Sequence, residues 1–147
     1  MNEMIKTIKE IHQKSICMFK IGAFYHVYNR DSYILSYLFD YKVKSLGNNN
    51  KECGFPESAL SKVKAKLENN KINYLVIDRR NNYDVDEQED YKDLNRYDKF
   101  YEKSNKIINR RLRIENISNF LNENIEEEGF IQILGKMEEV MYERGEI

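Results

Sequence analysis

The most informative stretch of the chain is Phe19-Lys20-Ile21-Gly22-Ala23-Phe24-Tyr25-His26-Val27-Tyr28-Asn29-Arg30-Asp31. The residues on either side of Gly22 are mostly apolar, aromatic or β-branched, which is typical of strands, and a glycine inside such a pattern marks a turn or a bend. The stretch therefore predicts two strands, residues 16–21 and 23–28, or one strand that bends at Gly22.

Helices are predicted on both sides of this stretch. Asn29 and Asp31 are good N-cap residues for a helix whose apolar residues recur at helical spacing and which should end near Tyr41. Upstream, the apolar residues of segment 2–14 also recur every three or four positions, which predicts an amphipathic helix.

A hairpin and a third helix follow. Residues 41–46 alternate apolar side chains with lysine, as half-buried strands do, and residues 47–50 are a glycine and three asparagines that favour a turn. The chain should then return as a strand through Cys53. Pro56, the only proline, precedes an apolar 3-4 pattern, which predicts a helix over residues 57–69.

The last strands are predicted within the next twenty or so residues. Segment 72–77 is rich in β-branched and aromatic residues, Asn81 and Asn82 favour a turn, and residues 83–85 can pair back as a short edge strand. Residues 1–88 are therefore predicted to form one α+β unit.

Residues 89–147 are predicted to form a helical extension. This segment has no proline, and its apolar residues fall into stripes that indicate two or three helices. Their apolar faces need cover, either by packing on the α+β unit or by pairing with a second chain. The sequence leaves both possibilities open.

The charge of the chain is unevenly distributed. Residues 1–83 contain 14 Lys or Arg against 8 Asp or Glu, a net charge of +6, and residues 84–147 contain 10 against 17, a net charge of −7. Within the second half, residues 96–113 are mainly basic. Such blocks are explained either by solvated helix faces or by contact with nucleic acid.

No catalytic or metal site is predicted. Cys17 and Cys53 lack a neighbouring ligand at metal-binding spacing, which indicates a reduced, cytoplasmic protein, and no segment resembles an export leader or a membrane span. Residues 135–137 do not replace a phosphate-binding G-x-x-x-x-G-K-[ST] loop, so ATP hydrolysis is not expected. The acidic run 84–90 is interpreted as a solvated linker, so we expect a non-enzymatic protein without a cofactor.

Residues 19–31 resemble the opening of domain I of the MutS DNA-repair family, whose pattern is approximately F-x-x-G-D-F-Y-E-x-F-x-x-D-A. The family's later G-[IV]-P element corresponds to Gly54-Phe55-Pro56, and the order of elements matches over residues 11–78. The resemblance implies an α+β fold in which helices flank a mixed β-sheet, here with an α-helical C-terminal extension.

The resemblance also implies a DNA-binding site for mismatched or distorted duplex. Phe24 takes the position of an aromatic wedge that stacks on an unpaired or mispaired base from the minor-groove side. Two family carboxylates are replaced, by Ala23 and His26, and an imidazole can still donate or accept a hydrogen bond from a base. The site residues implied are Lys20, Phe24, Tyr25, His26, Lys51, Gly54 and Phe55.

Other interpretations are compatible with the same residues. Phe24 can be a core residue of an apolar strand, and His26 can lie on a solvated strand face. The chain can also be a non-catalytic protein-interaction module that keeps the fold and binds a partner, or a second copy, through its C-terminal helices. A third possibility, a metal-dependent nuclease, would use Asp84 or Glu87.

Overall fold

A computed structural model describes residues 1–145, except for the side chain of Leu94. Five α-helices and six strands form an α+β fold in this part of the chain. The helices are α1 (Glu3–Ile11), α2 (Arg30–Phe39), α3 (Leu60–Asn69), α4 (Leu94–Glu123) and α5 (Phe130–Glu143). The strands are β1 (Ile16–Ile21), β2 (Phe24–Tyr28), β3 (Lys44–Gly47), β4 (Asn50–Pro56), β5 (Tyr74–Asp78) and β6 (Val85–Glu89).

The strands form one sheet in the order β3-β4-β2-β1-β5-β6. Strands β1 and β5 are parallel, with Ile16 opposite Tyr74, and the other neighbours are antiparallel. The mixed sheet flanked by helices that the resemblance implied is therefore confirmed. A 3-10 turn, Glu57–Ala59, leads from β4 into α3.

Gly22 and Ala23 form the turn between β1 and β2, so the stretch around Gly22 is two strands rather than one bent strand. Ile21 faces Phe24 across the pair, and only two residues connect the strands. Gly22 has a φ of +66°, which glycine adopts without steric cost and which two-residue hairpin turns require. The carbonyl of Ala23 accepts a hydrogen bond from the N–H of Glu57 at 2.9 Å, which fixes the turn to the segment before α3.

The residues before α2 do not cap it as predicted. The side chain of Asn29 makes no cap hydrogen bond, and its Oδ1 accepts from the N–H of Lys51 on β4 at 2.8 Å. The helix begins at Arg30, and Asp31, the other predicted cap residue, lies buried in its first turn. Both polar side chains make contacts between elements, which a local capping pattern does not reveal.

Asp31 is a buried junction between four elements. Its carboxylate accepts hydrogen bonds from Lys9 of α1 at 2.8 Å, from the N–H of Cys17 on β1 at 3.0 Å and from the hydroxyl of Tyr97 on α4 at 2.5 Å. Burial, with the nearby Asp31 charge, raises the pKa of Tyr97 well above its ordinary value. Each carboxylate oxygen is therefore paired, as a buried charge requires.

The acidic run after β5 is an edge strand, so its interpretation as a linker was wrong. Strand β6 pairs with β5, with Gln88 opposite Leu75, and all of its residues are exposed. The predicted start at residue 83 is too early because Asn82 and Tyr83 both have positive φ. An edge strand is hydrogen-bonded on one side only, so its charged side chains can stay in water.

The two faces of the sheet carry separate cores. The face packed by α2, α3 and the start of α4, here called the inner face, holds the larger one: Ile16, Met18, Tyr25, Val27, Ile34, Leu35, Cys53, Phe55, Val63, Leu67, Ile72, Tyr74, Val76 and Tyr97. The outer face carries the smaller core under α1: Ile5, Cys17, Phe19, Tyr28, Leu75 and Ile77. Because strand side chains alternate between faces, β2 sends Tyr25 and Val27 inward and Phe24 and His26 outward.

The chain divides into two compact units, Met1–Ile108 and Asn109–Ile147. The first unit extends past the boundary expected at residue 88, because Tyr97, Ser104 and Ile108 of α4 are buried. The second unit contains the rest of α4 and α5, and none of its residues up to 145 is buried. Among the described residues, no helix is both long and apolar enough to cross a membrane.

Candidate nucleic-acid interface

Part of the outer face of the sheet carries no buried side chain among the described residues. Helix α1 contributes Ile5 to the core on β1 and β5, whereas none of the outward residues at the β2 turn, on β4 or on β3 is buried. We call this region the open face. It contains Phe24, His26, Lys44, Glu52 and Gly54.

Phe24 projects from the open face at the tip of the β1–β2 hairpin. Its side chain is 50% exposed, so the interpretation of Phe24 as a core residue was wrong. The backbone that carries it is fixed, because Phe24 pairs with both Ile21 and Pro56, and the preceding turn is bound to Glu57. The result is an exposed ring on a rigid support.

His26 and Glu52 are paired on the open face. Gly54 lies directly opposite His26, and Glu52 is two residues further along the same strand, so both share the face of the imidazole. The Nδ1 atom of His26 contacts Oε1 of Glu52. A Cβ atom at Gly54 would lie 3.2 Å from the carbonyl oxygen of Tyr25, which is a tight approach, and 3.7 Å from His26 Nδ1, which is ordinary contact, so glycine mainly relieves crowding against the β2 backbone.

A groove of about 330 Å³ lies beside this pair. It is at the small end of the range typical of ligand sites. Its lining combines one exposed aromatic ring, one imidazole, one carboxylate and two ammonium groups. The lining residues are Phe24, His26, Tyr41, Lys42, Lys44, Glu52, Cys53 and Gly54.

The family model of MutS domain I matches residues 1–113. The chain belongs to the MutS domain I family. In MutS, this domain is the DNA-binding domain that recognises mismatches. A search of curated proteins finds no match to the chain.

The other residues expected at the DNA site of this MutS domain I lie elsewhere. Tyr25 and Phe55 are 6% and 1% exposed, and their rings stack with centroids 5.5 Å apart on the inner face. Their burial does not support the expected contact with DNA. The expectation overlooked that adjacent residues of a strand face opposite sides.

The two lysines expected at the DNA site have partners within this MutS domain I. The Lys20 ammonium binds Glu57 Oε1 at 3.0 Å, and this hydrogen bond raises the pKa of Lys20. Lys51 donates to Ser45 Oγ at 2.8 Å. Strand alternation sets both lysines on the inner side, so neither lies next to Phe24 on the open face.

Sequence reasoning missed Glu52 and Lys44. In the structure these residues face each other across β3 and β4, next to His26. The sequence predicted the hairpin through Cys53 that contains both residues. It did not give the residue pairing of that hairpin, which determines the charged residues that share a face with His26.

Within the described residues, no group of three or more His, Cys, Asp or Glu side chains is placed to hold a metal ion. Both cysteines of this MutS domain I are buried free thiols. Burial raises the pKa of Cys17 to about 12 and also raises that of Cys53, so neither thiol is an activated nucleophile.

Proposed function

We propose that this protein binds duplex DNA without catalysis and prefers mismatched or distorted steps, with Phe24 as the wedge. The observation that carries the proposal is the half-exposed Phe24 ring at a braced hairpin tip. Pushing a planar apolar side chain between base steps costs a few kcal/mol of stacking, and a mismatch lowers that cost because the step is already weakened.

Charge supports a DNA-binding role for the open face. Lys42 and Lys44 line the groove beside Phe24, at the β3 end of the sheet, whereas the acidic strand β6 lies at the other end. A polyanion is therefore attracted to the end that carries Phe24 and repelled from the opposite end.

The side chains then have distinct roles in the proposed complex. Phe24 enters the base stack, His26 meets the edge of the displaced base, and Lys44 approaches a phosphate. Gly54 has no side chain and allows the backbone of β4 to come near the DNA. Lys20 and Lys51 contribute at longer range, through their charge.

Fluorescence anisotropy with three ligands tests the proposal: a matched duplex, a duplex with one unpaired T, and a single strand. The wild type should prefer the unpaired-T duplex, and Phe24→Ala should reduce this preference by about tenfold, a typical loss for one base–aromatic stack. Phe120→Ala is the matched control, since Phe120 is 51% exposed and lies in the second unit.

The salt dependence of binding tests the role of the lysines. Lys44→Gln should lower the slope of log K against log salt by about 1, whereas Lys136→Gln in the second unit should leave it unchanged. Equal affinity for all three ligands, or no binding at low salt, would contradict the proposed function.

Protein interaction through residues 109–145 is a second candidate function. None of these residues is buried, and many of their apolar side chains are exposed, which is unusual for a helical unit in water. A second copy of the chain can cover them by forming a four-helix bundle. The exposed apolar residues of the unit include Ile114, Ile117, Phe120, Ile125, Ile131, Ile133, Met137, Val140 and Met141.

Sedimentation equilibrium distinguishes self-association from a monomer. The wild type should sediment as a dimer, and Met137→Lys should shift it to monomer because a charge replaces an apolar contact. Gln132→Lys, which changes an exposed polar residue, should have no such effect. A wild-type monomer at all concentrations would exclude a dimer.

A further inference from the structure

We propose that Glu52 is a positioning residue that makes His26 a hydrogen-bond acceptor for the displaced base, so that the protein favours bases with a ring N–H on their pairing edge, thymine and guanine. This inference rests on the proposed DNA-binding function and adds a base preference to it.

The contact between His26 and Glu52 determines which ring nitrogen carries the proton. An ionised carboxylate only accepts hydrogen bonds, so the Nδ1 atom that contacts Glu52 must be the protonated nitrogen. In the neutral imidazole, the other nitrogen, Nε2, is then an acceptor. Through this contact Glu52 sets the tautomer of its neighbour.

The surroundings hold the ring in this orientation. Gly54 leaves the space opposite His26 free of a side chain, and the imidazole lies against that position. Lys44 lies directly across from Glu52 on the neighbouring strand β3. The carboxylate side chain is only 18% exposed, so water competes weakly for its oxygen.

The remaining ring nitrogen is available to a ligand. The side chain of His26 is 28% exposed, lines the groove and is bound to Glu52 through Nδ1. Phe24 lies two residues earlier on the same face, so a base displaced by its ring arrives next to His26. Both groups then act on one base.

An acceptor at this place discriminates between bases by their pairing edges. Thymine presents an N3–H donor and guanine an N1–H donor, whereas the ring nitrogens of cytosine N3 and adenine N1 are acceptors. Two acceptors that face each other leave both unpaired, which is costly in a site with little water. Thymine and cytosine are of similar size, so they form a suitable test pair.

Two measurements test the proposal. In the free protein, nitrogen NMR should show His26 protonated at Nδ1 and unprotonated at Nε2 at the pH of the binding assay. In anisotropy assays, the wild type should bind a duplex with one unpaired T about fivefold or more tighter than a duplex with one unpaired C. Glu52→Gln should reduce this ratio to about twofold or less, because an amide can pair with either tautomer.

Glu68→Gln is the matched control. Glu68 on α3 accepts a hydrogen bond from the Tyr74 hydroxyl at 2.6 Å and does not line the groove, so this variant should keep both the tautomer and the T-over-C ratio. A wild type that binds both duplexes equally, or a ring protonated at Nε2, would overturn the inference.

The outcomes separate this inference from the proposed function. Suppose that the protein prefers the unpaired-T duplex over the matched duplex and that Phe24→Ala abolishes this preference. The proposed role of Phe24 as a wedge is then supported, even when the unpaired-T and unpaired-C duplexes bind equally. In that case only the proposed role of Glu52 is contradicted. If DNA does not bind at all, the proposed function fails, and the base preference that rests on it fails too.

Discussion

Adjacent residues of β2 differ completely in their surroundings. Phe24 is half exposed, whereas Tyr25, the next residue, is buried and stacked on Phe55. The difference follows from the two-residue period of a strand, in which one side chain faces the helices and the next faces away. A shift of pairing by one residue would exchange the two environments, so the register of β2 determines which ring is available to a ligand.

Two substitutions in β2 separate stability from binding. Tyr25→Ala removes a buried ring and should lower the free energy of unfolding by about 3 kcal/mol, whereas Phe24→Ala should change it by less than about 1 kcal/mol. Urea denaturation measures both. Comparable losses of stability in the two variants would contradict the assignment of Phe24 to the open face.

The buried thiols should make the free energy of unfolding decrease at alkaline pH. Folding raises the pKa of Cys17 from 9.0 to about 12, because burial disfavours the thiolate, so above pH 9 the unfolded chain loses protons that the folded chain keeps. The contribution of Cys17 to the free energy of unfolding is therefore fully present below pH 9. Above pH 9 it should decrease by about 1.4 kcal/mol for each pH unit.

Urea titrations from about pH 8 to pH 10.5 check this slope. Cys53 also has a raised pKa and adds to it, so Cys17→Ala combined with Cys53→Ala should flatten the profile. An unchanged slope in the double variant would assign the alkaline loss to other groups.

At the scale of elements, Asp31 joins α1, β1, α2 and α4 through one carboxylate. Replacement by Asn leaves Lys9 without its counter-charge and puts an NH₂ donor in place of one carboxylate oxygen, so either the Tyr97 hydroxyl or the Cys17 N–H loses its acceptor. Breaking a buried ion pair in this way commonly costs about 3 kcal/mol or more.

Asp31→Asn should therefore lower the free energy of unfolding by about 3 kcal/mol, measured by urea denaturation. Asp98→Asn is the control, since the Asp98 pair with Lys14 is partly exposed and should contribute less than about 1 kcal/mol. A loss as small as that of the control would mean that water replaces the contacts of Asp31.

The elements that the sequence predicted correctly have local signals. Gly22 marked the hairpin turn, and Pro56 marked the segment that leads into α3. The failures involve residues whose partners are distant in sequence: Asn29 binds β4 and the acidic run pairs with β5. The same distinction applies to the candidate site. The position of Phe24 was predicted from the family motif, whereas the contact of Glu52 with His26 could be found only from the pairing of β4 with β2.

For the whole molecule, the two units have very different cores. Both buried clusters lie within residues 1–108, and residues 109–145 contain no buried side chain. Since burial of apolar surface is the main favourable contribution to folding, the first unit has what it needs for stability and the second does not.

Truncation tests this difference. A chain of residues 1–108 should unfold cooperatively, with a midpoint near that of the full chain, because it keeps all the residues that are buried in the described part of the structure. A peptide of residues 109–147 should show little helix at low concentration, because short isolated helices are marginal in water. Circular dichroism measures both, and a molten 1–108 chain would show that the second unit stabilises the first.

The exposed strand β6 has a consequence for how molecules of this protein meet in solution. The free edge of a sheet is a template on which another chain can add a strand and begin a fibril. Here that edge carries the side chains of Asp86, Glu87 and Glu89, so a second copy that approaches with the same edge meets like charges at strand spacing. The acidic run therefore disfavours edge-to-edge aggregation of the protein. This effect requires no ligand and does not depend on whether the protein binds DNA.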